Sequence, residues 1–92
     1  MAIAKMICEY KQASIDRVLS DTRQQYFCSI RQLIWSFAYY HFGYSYPQIA
    51  AFSNRDHTTV ITGVKRVTTF LPLYDDIQQE VETIKILLTT KQ

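Results

Sequence analysis

Arg55, Asp56, His57, Thr58 and Thr59 are consecutive, and on a helix they would present a guanidinium, a carboxylate, an imidazole and two hydroxyls within about one and a half turns. Three kinds of chemistry could draw on such a run. Acid–base or nucleophilic catalysis requires a base in hydrogen-bond contact with the group that orients it. Asp56 and His57 are adjacent, and neighbours on a helix project about 100° apart, so they cannot form that pair. Metal binding fares no better, because the four candidate ligands Cys8, Cys28, His41 and His57 show neither CxxC nor HxxxH spacing. No catalytic residue, metal or cofactor is expected, and with them no enzyme and no small-molecule substrate.

The third chemistry is the reading of base edges in double-stranded DNA. The first residues of a recognition helix enter the major groove ahead of the rest, so they must be short or able to donate and accept there. Thr58 and Thr59 offer hydroxyls and methyls, His57 can meet a purine edge, and Asp56 can accept from a cytosine amino group. Lys65 and Arg66 lie further along and suit phosphates, as do Arg23 and Arg31, since phosphate contacts hold register without reading sequence.

A short helix and a tight turn must carry those side chains outward. Ser45-Tyr46-Pro47-Gln48 combines a capping-box Ser and Gln with a Pro in the first turn, which predicts a helix start. That helix ends near Phe52, and a turn at Ser53 and Asn54 leads into a helix capped by Asn54 or Asp56 that runs until Pro72. On it Val60, Val64, Val67 and Leu71 form a core face, while Thr58, Thr62, Lys65 and Thr69 fall opposite. The layout over residues 45–71 is a helix-turn-helix. Ahead of it, a first helix is expected from Ile3 to Lys11, and a short second one is capped by Ser14. Ser20 to Gln25 form a polar loop with Arg23 at its centre. The longest helix, Tyr26 to Phe42, carries Ile30, Leu33, Ile34, Phe37 and Ala38 at core spacing, has Trp35, Tyr39 and Phe42 as a second stripe, and is ended by Gly43. His41 is expected to be a partly buried residue at its end. A last helix from Asp75, with Ile77, Val81, Ile84 and Leu88 in one stripe, packs on as a lid.

Composition agrees. The 92 residues hold one domain, spanning 1–92, are 48% hydrophobic, and contain only two Gly and two Pro, which suits an all-α fold of about six helices and not a barrel or sandwich. Cys8 and Cys28 are too few for a disulfide scaffold and read as reduced, semi-buried thiols. Residues 32–54 lack Asp, Glu, Lys and Arg but include His41, Ser45, Pro47 and Gln48, which a bilayer span of about 20 apolar residues would not tolerate. With no signal-peptide pattern at the N-terminus, a cytoplasmic, nucleoid-associated protein is expected. Residues 1–66 carry eight Lys or Arg against four Asp or Glu, giving +4, and residues 67–92 carry two against four, giving −2. That split is compatible with a polyanion facing the first part.

The run from Ser45 to Val60 closely resembles the C-terminal DNA-binding domain, domain IV, of the bacterial replication initiator DnaA. Its signature is a Ser-x-Pro-x-Ile-Gly helix followed by Gly-Gly-Arg-Asp-His-Thr-Thr-Val. The resemblance extends over roughly residues 3 to 88, through Ile7-Cys8-Glu9-Tyr10, Ser20, Arg23 and Arg31-Gln32. It implies a Trp-repressor-like helical fold and a set of contacts. Arg23 would reach into the minor groove, and Arg31 and Gln32 would hold the backbone. Pro47 and Tyr46 would sit beside a thymine methyl. Asp56, His57 and Thr58 would read base edges with Thr59 in support, and Ser45, Arg55, Thr62, Lys65 and Arg66 would serve phosphates.

The implied target is the short asymmetric DnaA box of the TTATNCACA type. The chain differs from the family in having Ser53-Asn54 for Gly-Gly, in an Ile49-to-Phe52 spacing one residue shorter, and in few basic residues around Arg23. Its only glycines, Gly43 and Gly63, exclude a GxxxxGK[ST] phosphate loop. A free-standing box reader is expected, competing with the replication initiator or regulating transcription. The alternative is a helical protein-interaction module using Trp35, Tyr39, Tyr44 and Tyr46; dimerisation through the aromatic stripe is a further possibility.

Overall fold

The computed structural model describes residues 2–20 and 23–90. Among them the chain forms α1 (Ala2–Lys11), α2 (Ile15–Val18), α3 (Gln25–Tyr40), α4 (Tyr46–Ser53), α5 (His57–Phe70), a 3-10 turn (Leu71–Leu73) and α6 (Asp75–Thr90). The architecture is the expected all-α one.

The central element is α3, which packs against α1, α2, α4 and α5. Ile30, Leu33, Ile34, Phe37 and Ala38 are all buried on it, and so is Trp35 from the second stripe. Burying both stripes makes α3 a hub, because a helix apolar on two sides can only be satisfied by neighbours on both. Tyr39 is half-buried and Phe42 is exposed, so the second stripe fades toward the helix end. His41, expected to be partly buried there, is exposed as well; the chain turns away at Gly43, whose φ of 73° lets Tyr44 N–H reach back to Ala38 C=O at 3.0 Å.

Ile3, Ile7 and Cys8 of α1 close one side of the core. Burial pushes the Cys8 thiol above its ordinary value, which keeps it neutral; Cys8 is buried and Cys28 half-buried, and neither is in a disulfide. Ser14 stands at the N-cap of α2 but its side chain makes no capping bond, so the cap expected of it is positional only. Residues 75–90 form the lid. Val81, Ile84 and Leu88 are buried, and Lys11 of α1 donates to Glu80 of α6 at 2.6 Å. No described helix is long and apolar enough to cross a membrane.

Candidate nucleic-acid interface

The start of α4 is built as its residue types dictate. Ser45 Oγ accepts from Gln48 N–H at 3.3 Å while Ser45 N–H donates to Gln48 Oε1 at 2.9 Å, and Pro47 lies in the first turn. Ser45 Oγ also donates to Gln48 Oε1 at 3.2 Å. Both donors of Ser45, expected above at a phosphate, are thus bonded to Gln48 of its own helix. Ile49 and Ala50 are buried, whereas Phe52 is exposed, so the shortened Ile49-to-Phe52 spacing places one member of the pair outside the core.

The two residues replacing Gly-Gly behave differently. Ser53 remains helical and buried, its Oγ accepting from Trp35 Nε1 at 2.8 Å. Asn54 alone takes the left-handed conformation, φ 54° and ψ 45°, which Asn tolerates better than most residues. Helix α5 then starts behind Asp56, not Asn54. Asp56 Oδ1 accepts from Thr59 N–H at 2.9 Å and from Thr59 Oγ1 at 2.7 Å, so Thr59 supports the turn with both of its donors.

Those two bonds hold the Asp56 carboxyl below its ordinary value. A folded-state value depressed in this way adds stability above the unfolded value and loses it as pH falls through the folded one. Thermal unfolding of the native chain and of Asp56→Asn, which keeps a capping oxygen, should therefore run parallel from neutral pH down to about 5 and converge only as pH drops below the aspartate range near about 4. A gap that is constant down to strongly acid pH would show that the carboxylate charge plays no part in the cap.

An open cleft of about 750 Å³ lies between the loop before α3, α3 itself and the first turns of α5. Seven residues expected at DNA line it: Arg23, Arg31, Gln32, Arg55, Thr58, Thr59 and Thr62. Arg23, Thr58 and Thr62 are exposed and line it together, so the loop arginine and one face of α5 share a rim; Asp56 and His57 are exposed as well but do not line the cleft. Pro47 is exposed at the start of α4. Tyr46 is half-buried and stacks on Tyr39 with ring centroids 4.2 Å apart; desolvation first, then its bond to Tyr39, pushes its phenol above the ordinary value.

Two arginines expected at phosphates are engaged inside the chain. Arg31 is only 6% exposed, and its guanidinium donates to Ser20 C=O and Cys28 Sγ, each at 2.9 Å. A charge on a helix says nothing about burial, and this one lies under the cleft as part of its floor. Arg55 is half-buried and bonds backbone carbonyls of Ser53 and Ser20. Lys65 is exposed outside the cleft, and Arg66 lies over the Phe70 ring, 5.8 Å from its centroid, beside a separate hollow shared with α6. Trp35, named above for the alternative protein-interaction module, is a core residue at 4% exposure.

Missing from the sequence reading was Gly63. A Cβ there would lie 2.7 Å from Trp35 Cε3 and 3.2 Å from Gln32 Cγ, so α5 crosses α3 at a distance only glycine permits. The signal was available, because a glycine inside a helix costs about 1 kcal/mol against alanine and usually marks close packing.

A family model described as the bacterial DnaA protein helix-turn-helix matches residues 1–67. The match takes in α1 to α4 and most of α5. It stops short of the residue-88 limit expected above and leaves α6 outside. A match over this much of the chain, on a scaffold that leaves the Asp56-to-Thr59 run exposed, decides the relationship: the chain belongs to the bacterial DnaA helix-turn-helix family, a family of DNA-binding domains.

Proposed function

We propose that the chain binds DnaA-box-like duplex sites, with the first turn of α5 in the major groove and Arg23 in the adjacent minor groove. It regulates replication initiation or transcription on the nucleoid by occupying sites, with no ATP hydrolysis of its own. The observation that carries this reading is the shared rim of the cleft, where Arg23 faces the same opening as Thr58 and Thr62. A loop arginine and a recognition-helix N-terminus must be presented together if one protein is to straddle a backbone between two grooves. Asp56, His57 and Thr58 read bases in this arrangement, with Pro47 and Tyr46 beside a thymine methyl and Thr59 holding the cap. Gln32, Thr62, Lys65 and Arg66 hold phosphates, and Arg31 acts from beneath.

A gel shift with box and scrambled duplexes at about 50 and 200 mM salt tests it. Only Lys65 and Arg66 among the phosphate contacts carry charge, which gives a log–log slope of roughly −2, so box affinity should fall roughly tenfold across that range while the preference for the box persists. Absence of any shift at the lower salt would remove duplex binding and favour a protein partner. A shift with no preference for the box would leave DNA binding without the reading of sites. If the chain competes with the full initiator, adding it should displace the initiator from the same duplex.

A further inference from the structure

Ser20 follows α2 and stands three positions before Arg23 in the sequence. Its carbonyl oxygen accepts from two guanidinium groups that reach it from different parts of the chain, Arg31 Nη1 at 2.9 Å from α3 and Arg55 Nη2 from the turn between α4 and α5. Arg55 also donates from Nη1 to Ser53 C=O at 3.4 Å. One side chain therefore joins the last residue of α4 to Ser20, which lies 35 residues before Arg55 in the sequence.

We propose that Arg55 is a positioning residue, setting the distance between Arg23 and the first turn of α5 and acting on DNA recognition through Arg23, not as a phosphate contact. This rests on the two-groove reading above. Two residues stand between Ser20 and Arg23, three peptide steps with a reach of at most about 10 Å, so anchoring the carbonyl limits where the Arg23 guanidinium can go. A base-edge hydrogen bond is lost beyond about 3.5 Å, and a loop that drifts relative to α5 cannot satisfy both grooves at once. The tie requires arginine. Its planar fork holds Nη1 and Nη2 in a fixed relation, one for each carbonyl, whereas lysine carries a single ammonium that keeps the charge and loses that geometry.

The test measures affinity for the box duplex, and for the same duplex with diaminopurine replacing adenine, which adds an amino group in the minor groove only. The proteins are the native chain, Arg55→Lys, Arg55→Met, Arg23→Ala and the Arg55→Lys/Arg23→Ala double variant. Arg55→Lys and Arg55→Met should each weaken box binding about tenfold, the size expected when a hydrogen bond from a charged group is lost. They should leave the salt slope unchanged, abolish discrimination against diaminopurine, and cost nothing further once Arg23 is absent. In the free protein, nitrogen relaxation at the Arg23 and Gln24 amides should show added motion in Arg55→Lys, with the α5 amides unaltered.

The proposal is overturned if lysine restores native binding, if Arg55→Met lowers the salt slope by about one, if the Arg55 and Arg23 effects add, or if the two amides do not respond. Failure of the native chain to prefer the box would sink the two-groove reading instead. The relaxation measurement, which needs no DNA, would still report whether Arg55 holds the loop.

Discussion

Trp35→Ala is expected to lower the stability of the fold by about 3–5 kcal/mol, the range for removing a buried indole from a core. Domains of this size hold about 5–14 kcal/mol in total, so the loss would depress the melting temperature by more than about 10 °C. The reason lies in what Trp35 touches. It is 4% exposed, its Nε1 donates to the buried Ser53 Oγ at 2.8 Å, and its six-membered ring fills the space against Gly63. Trp35→Phe separates these contributions, since most of the apolar area survives while Ser53 loses its donor, an expected cost of about 1–3 kcal/mol.

Gly63→Ala would normally stabilise a helix by about 1 kcal/mol. Here the sign reverses to a net loss of about 1–2 kcal/mol, because the added methyl meets a ring that is pinned and cannot retreat. In the Trp35→Ala background the same change should become stabilising, since the methyl then enters the vacated space. Urea melts at low temperature on the single and double variants decide it, and a Gly63→Ala that stabilises the native chain would mean that α3 and α5 are not in register as described.

Trp35 and Gly63 also show where sequence reasoning stops. The capping box of Ser45 with Gln48 and the cap at Asp56 were legible because each is closed within three residues. The core faces of α3 and α5 were legible because burial repeats with the helical period. Trp35 to Ser53 spans 18 residues and Arg55 to Ser20 spans 35; contacts so distant in the chain leave no periodic trace. The burial of Arg31 was not legible for a related reason. Its type and its place beside Gln32 suit a phosphate, but its guanidinium donates to Ser20 C=O, 11 residues away, and to Cys28 Sγ, and only the tertiary arrangement reveals the first of these. Of the expected interface, the exposed turn from Asp56 to Thr58 was readable from residue types, while the parts that aim it came from packing.

His57→Ala should weaken binding to a box duplex by about 1–3 kcal/mol, or about 5- to 150-fold, and change binding to a scrambled duplex little. His57 is the first residue of α5, directly after the Asp56 cap, and is exposed. Alanine is a strong helix former, so the variant should melt with the native chain and any loss can be assigned to recognition. Non-specific affinity depends on cations meeting phosphates, and those side chains are untouched. Lys65→Ala provides the contrast: an exposed cation outside the cleft should weaken both duplexes alike and reduce the salt slope by about one. The two variants therefore separate the two kinds of contact on one helix. If His57→Ala instead lowered affinity for both duplexes equally, His57 would be a backbone contact, and α5 would have to meet the duplex with some face other than its first turn.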